Sequence, residues 1–159
     1  MPTINATQQF GLTVVESGTL VEVPSAGDRT VIHNQFGSVV RLNAASTPPG
    51  TMVYAAKGTG TVTLDLTALV SAVFGTKDAS GLKLQSLLLN NLSTTDDVDI
   101  GDAVANPYPI NNGNDVRVPP GGKLDTYYAD QLADVAAGAL GILITAGVAE
   151  EWELIIVLG

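Results

Sequence analysis

The chain has no cysteine, one histidine and one tryptophan, and charged residues make up only 14% of its 159 positions. Without cysteine there is no disulfide frame, no thiolate metal site and no thiol chemistry, a composition that suits assembly in a reducing cytoplasm. The lone His33 supplies no histidine metal site by itself, and a triad would need a poised nucleophile and a carboxylate beside it. It reads as an ordinary strand histidine. No GxSxG elbow is present, and Lys57-Gly58-Thr59-Gly60-Thr61 places its lysine ahead of the glycines, unlike a phosphate loop. Seven basic residues against sixteen acidic ones give a net charge of −9, and the basic residues are scattered singly. That excludes the phosphate-neutralising clusters of a nucleic-acid binder and disfavours an anionic membrane. The longest apolar run, Leu154 to Leu158, is strand-sized rather than bilayer-sized. The first thirty residues lack the basic-then-apolar pattern of an export signal, so the expectation is a soluble protein made without an export tag.

What is present is strand and turn. Short stretches rich in Val, Thr, Leu and Ile alternate with turn residues, the pattern of an all-β domain. The length predicts one domain able to bury roughly two-thirds of its unfolded surface. Residues 1–9 are polar and aperiodic and read as an N-terminal arm, with a single β-sandwich domain over 10–159. Leu20 to Val23 is one expected strand. Three blocks share a strand–turn–strand plan: Thr30 to Leu42, turning at His33-Asn34 with Gln35 to Ser38 at the tip; Leu84 to Ile100, turning at Asn90-Asn91; and Gly141 to Leu158. Each reads as a hairpin. Pro48-Pro49-Gly50 interrupts, because proline cannot donate to a ladder.

Thr51 to Ala55 and Thr61 to Leu64 are further strands. The period then changes: Leu66, Leu69, Val70, Val73 and Phe74 fall on one face of a helix, with Asp65 and Gly75 as caps, and a continuous strand through Leu66 is the other reading. Tyr127 to Ala137 predicts one or two further helical turns. The fold expected is an antiparallel β-sandwich, jelly-roll-like, with one short helix. Low charge and many small neutral residues suit flat contact with other protein.

Asp96, Asp97, Asp99 and Asp102 form the densest set of chemistry-bearing groups. Asp97, Asp99 and Asp102 are candidate calcium ligands, without the glycine and closing glutamate of an EF-hand, and a solvated acidic strand edge is the other reading. Two of these carboxylates could equally serve a glycosidase, a test any acidic protein passes. Trp152 alternates with Leu154 and Ile156 on one strand face, which favours core packing. Thr3, Gln8 and Gln9 in the arm, with Tyr108, Tyr127 and Tyr128 in or beside loops, are the candidate partner contacts.

Leu64-Asp65-Leu66-Thr67-Ala68-Leu69, a buried strand ending in Asn90-Asn91, Val98-Asp99-Ile100-Gly101-Asp102-Ala103, Val118-Pro119-Pro120-Gly121-Gly122 and Ile155-Ile156-Val157-Leu158-Gly159 follow in that order. This succession resembles small β-sandwich virion proteins of tailed bacteriophages, especially those that decorate or cement the capsid. The resemblance covers roughly residues 60–159 and rests on turns and apolar strands. It implies no catalytic residue and no cofactor, a homotrimer seated where capsomers meet, and the major capsid protein as partner. The place implied is the capsid exterior, after synthesis in the host cytoplasm. A different class also suits the loops: a carbohydrate-binding module of a phage tail or bacterial surface structure, with Trp152 or the loop tyrosines as stacking platforms and the Asp96 to Asp102 segment as hydroxyl acceptors or a calcium clamp.

Overall fold

The computed structural model describes residues 5–19, 28–43, 50–71 and 75–159. Within these the chain is all-β, with twelve strands and, among the described residues, no helix. It divides into two compact units, one of them Thr7–Arg41 and the other containing Leu42 to Gly159.

The first unit is built on β1 (Asn5–Thr19) and β2 (Asp28–Asn43), neighbours in a two-stranded sheet. β2 runs unbroken through 33–38, so the hairpin expected at His33-Asn34 does not form. The segment lacks the Asn-Gly or Asp-Gly pair that a tight hairpin turn demands, and pairing with β1 holds it extended. Gln8 and Gln9 lie in β1 rather than in an irregular arm. The expected strand at Leu20 to Val23, Thr3 and Pro48-Pro49 lie outside the described residues.

The second unit is two four-stranded antiparallel sheets. One has the order β10 (Lys123–Tyr127), β7 (Leu84–Asn91), β12 (Glu151–Leu158), β3 (Met52–Thr59). The other, taken in the same direction, has β9 (Val116–Val118), β8 (Val98–Asp102), β11 (Gly141–Thr145), β4 (Val62–Asp65). Position by position, the strands in the two lists are consecutive in the chain. Each such pair is joined by an arch that crosses from sheet to sheet. The register puts all four arches at one end, since Thr59 pairs with Glu151 and Trp152 with Asn91 in one sheet, and Thr145 with Asp99 and Val98 with Val118 in the other. This winding of eight strands over two sheets is that of a jelly roll.

The blocks Leu84 to Ile100 and Gly141 to Leu158 are thus arches, not hairpins. β7 pairs with β10 and β12, while β8 pairs with β9 and β11. A hairpin turn keeps both strands in one sheet, whereas the connections 92–97 and 146–150 span the core thickness of roughly 10 Å between sheets.

That core explains the alternation. Tyr54, Leu87, Leu89, Leu154 and Ile156 from one sheet meet Leu64, Val98, Ile100, Val118, Ile142 and Ile144 from the other in a single buried cluster. Each fully buried Leu or Ile stabilises the fold by roughly 1.5–3 kcal/mol relative to exposure. Between Val157 and Leu158 the partner register slips from Ser86 to Leu84. Gln85 is therefore the extra residue of a bulge, and its carbonyl accepts from Tyr128 N at 2.8 Å.

The helix expected over Leu66 to Phe74 does not form in its described part, residues 66–71, while Val73 and Phe74 lie outside the described residues. Asp65 to Ala68 is a turn, with Ala68 N donating to Asp65 O at 3.0 Å. The Asp65 carboxylate accepts from both Thr67 N at 2.8 Å and Thr67 Oγ1 at 2.6 Å, a local closure that competes with helix. β5 (Leu69–Ser71) then pairs with β6 (Gly75–Lys77). Leu66 and Leu69 are both buried on the two sides of that turn, which imitates a helical spacing, while Val70 is 71% exposed. Tyr128 to Ala137 is likewise turn rather than helix. Its backbone bonds elsewhere: Val135 N donates to Leu82 O at 2.7 Å and accepts, through Val135 O, from Gly81 N at 2.9 Å.

Candidate functional site

The candidate calcium ligands are not brought together. Asp102 ends β8 at the opposite end from the arches, and its two carboxylate oxygens accept from Ile110 N at 3.0 Å and Gly113 N at 2.9 Å. It locks the 103–115 loop onto the sheet. Asp99 points to the outer face of β8, beside its cross-strand partner Arg117. The guanidinium Nε lies 3.2 Å from Asp99 Oδ1 and 3.5 Å from Asp97 Oδ2, and these neighbours push the Arg117 pKa further up. Asp96 accepts from Thr95 Oγ1 at 3.0 Å. Among the described residues no group of three or more His, Cys, Asp or Glu is placed to hold a metal ion.

The arch that carries this acidic stretch is organised by Asn91, which is buried. Its Nδ2 donates to Asp96 O at 2.8 Å and Val118 O at 2.9 Å, and its Oδ1 accepts from Ser93 N at 2.9 Å. Ser93 Oγ then accepts from Thr95 N and Asp96 N. One amide and one hydroxyl satisfy the backbone of a sheet-crossing connection that has no ladder of its own. The sequence reading placed a turn at Asn90-Asn91 and missed this role.

The aromatic candidates separate. Tyr108 is fully buried, so it cannot touch a partner. Its hydroxyl donates to Ala133 O at 2.7 Å and accepts from Leu84 N at 3.0 Å, tying two loops to the start of β7. Tyr128 packs against the core cluster, and burial pushes its pKa up. Trp152 is core, as its alternation with Leu154 predicts, with Nε1 donating to Gly60 O at 3.0 Å. It offers no stacking platform. Tyr127 alone stands half-buried on the outer side of its sheet, opposite Ser86.

That outer side is the most distinctive surface. Across β3, β12 and β7 the cross-strand row Ala55, Ile155, Leu88 faces away from the core. Ala55 is exposed, Leu88 half-buried, and Ile155 41% exposed. The next row adds Val53 and Tyr127 at its two ends. The row beyond Ile155 is polar: Lys57, Glu153, Asn90 and Lys123. Lys57 Nζ is 2.9 Å from Glu151 Oε2, and this contact pushes the lysine pKa up. Asn90 Nδ2 donates to Glu153 Oε2 at 3.4 Å. Apolar centre and charged margin are the anatomy of a contact surface. The sequence signal was there, since Leu87-Leu88-Leu89 and Leu154 to Leu158 are apolar at both parities.

No protein-family model matches the chain, and no curated protein or solved structure is significantly similar to it.

Proposed function

We propose that the chain is a non-enzymatic structural protein of a virion, which decorates a bacteriophage capsid and stabilises it by bridging neighbouring coat subunits as a homotrimer. The observation that carries this reading is the outward row Ala55, Ile155, Leu88 on the eight-stranded jelly roll. A bridging protein needs a stiff body and a flat apolar contact at its surface. The sheet supplies both, because the same strands that present Ile155 and Leu88 anchor Leu154, Ile156, Leu87 and Leu89 in the core.

Three further features support it. The carboxylates that drew attention in the sequence lock loops or pair with Arg117, which is structural service. Jelly rolls recur in viral capsid proteins, although they also recur in lectins and cupins, so the fold alone is an analogy. Contacts made only with the assembled shell stabilise it by mass action. A carbohydrate-binding module draws less support, because Trp152 and Tyr108 are buried and Asp102 is held by backbone donors.

The test is a mass-spectrometric census of particles purified from the cells that make the chain. The expected result is a fixed stoichiometry with the major coat protein, and release of the chain when Ile155→Asp is introduced. Finding the chain only in the soluble fraction, with no affinity for any assembled shell, overturns the reading.

A further inference from the structure

We propose that Asn112-Gly113, in the 103–115 loop, is a site of spontaneous deamidation that the Asp102 carboxylate holds shut. It is the one Asn-Gly pair in the chain, and glycine matters because no side chain obstructs its own nitrogen. Both residues are exposed, and nothing lies within 4 Å of the place a side chain would take at Gly113. Among the described residues the Asn112 side-chain amide makes no hydrogen bond, so it is free to turn and open to water. In the reaction Gly113 N attacks Asn112 Cγ, the new N–Cγ bond closes a succinimide ring, and the Cγ–Nδ2 bond breaks. The Gly113 proton passes to solvent, and Nδ2 leaves as ammonia with a proton from solvent. Water then opens the ring at either carbonyl, giving aspartate or isoaspartate. The net exchange is one amide and one water for one carboxylate and one ammonium ion.

The resting turn forbids that ring closure. Asn114 N donates to Asn111 O at 3.2 Å, and φ is 53° at Asn112 and 79° at Gly113. Positive φ at both central residues is a type I′ turn, with ψ at the first of them near about +30°. There Gly113 N and Asn112 Cβ lie on opposite sides of the Cα–C bond, whereas the ring needs them on the same side. The 112–113 peptide must swing through nearly half a turn, and that swing pulls Gly113 N off Asp102 Oδ2, 2.9 Å away. Asp102 Oδ1 holds Ile110 N at 3.0 Å, so one carboxylate pins the backbone on both sides of Asn112. Bonds of this kind to an ionised acceptor are among the stronger ones. Deamidation is therefore confined to moments when the loop opens. Its product then hinders reclosure: isoaspartate adds a methylene to the main chain, and either product brings a negative charge to the turn that Asp102 must hold. Each conversion records an opening, whatever particle the chain serves.

To test this, the full chain is held at mildly alkaline pH in buffer and in urea, and the peptide spanning Asn112 is followed by mass spectrometry with isoaspartate resolved chromatographically. Conversion in urea should begin at Asn112 and run on the order of tenfold or more faster than in the folded chain. Asp102→Ala removes both bonds, and in buffer it should convert at close to the urea rate while Trp152 keeps its buried emission, showing that the jelly roll is intact. Asp102→Asn, whose side chain offers one acceptor oxygen, should fall between, and it decides the matter where the alanine variant does not fold. Equal rates in the folded and unfolded wild-type chain, no preference for Asn112 in urea, or a folded Asp102 variant as slow as wild type overturns the inference.

Discussion

Gly58 and Trp152 are cross-strand partners in β3 and β12, and the indole occupies the space that any side chain at Gly58 would need. The glycine is required for its missing Cβ, not for a special backbone angle. Gly58→Ala should force the ring off its seat and endanger the bond from Nε1 to Gly60 O. The expected loss is about 1–3 kcal/mol, the usual range for overpacking a core. Urea unfolding with tryptophan emission as readout checks it, and a red-shifted native spectrum should accompany the loss. An unchanged midpoint would mean that the ring has room to move.

Tyr108→Phe isolates one hydroxyl. The ring stays, but Leu84 N and Ala133 O each lose a partner in the interior. An unsatisfied buried donor costs about 1–3 kcal/mol. Thermal unfolding should shift down, and hydrogen exchange at the Leu84 amide should quicken more than at Leu89. Uniform loss of protection across β7 would instead point to global destabilisation without a specific role for the hydroxyl.

Asn91 is the equivalent test at the arch end. Asn91→Ala removes three hydrogen bonds that span Ser93, Asp96 and Val118, for a loss of about 2–4 kcal/mol if the bonds contribute roughly as separate buried groups. Asn91→Asp should be worse than Asn91→Ser, because a carboxylate has no donor for the carbonyls of Asp96 and Val118 and brings a buried charge. Equal stability of those two variants would sink the assignment.

The strands were readable because period-two alternation reports burial directly, and Trp152-Leu154-Ile156 lies on the core face as alternation demands. Sheet membership was not readable. An arch and a hairpin have the same local signature, two apolar runs about a polar connection, and only the partners of β7 and β8 distinguish them. The false helix at Leu66 has a related cause: a turn closed by the Asp65 carboxylate buries residues three apart as a helix would. Side-chain function at loops was less legible still. Tyr108 looks like a surface tyrosine between two prolines, yet its exposure depends on loops distant in sequence that close over it. The outer row of Ile155 and Leu88 was encoded in runs apolar at both parities, but which strands lie side by side is a tertiary fact.

Alkaline pH offers a probe of the tyrosines in and against the core. Burial pushes Tyr54, Tyr108 and Tyr128 above the ordinary phenol value. A raised folded value means that the neutral phenol is the folded form, while the unfolded chain ionises near pH 10. These groups therefore contribute stability that is fully present below about pH 10 and is lost as pH rises through their folded values. Ultraviolet titration should show their phenolate signal arriving with the cooperative loss of circular dichroism, not before it. Smooth independent ionisation with the fold intact would contradict their burial.

Calcium should leave the fold indifferent. Asp99 and Asp97 already face Arg117, and Asp102 spends both oxygens on Ile110 N and Gly113 N. Along β8, Asp99 and Asp102 are three residues apart, about 10 Å at strand rise and on opposite faces, beyond the 2.3–2.6 Å shell a single calcium ion requires of each ligand. Millimolar calcium should shift the unfolding temperature by no more than matched magnesium. Arg117→Ala should then expose whether the guanidinium is what occupies the acidic pair: with the cation removed, Asp97 and Asp99 repel and weak, salt-screened divalent binding appears, while the unfolding midpoint hardly moves because the ion pair is exposed. Tight calcium binding by the unsubstituted chain would reverse this argument and place a metal centre on the outer face of β8.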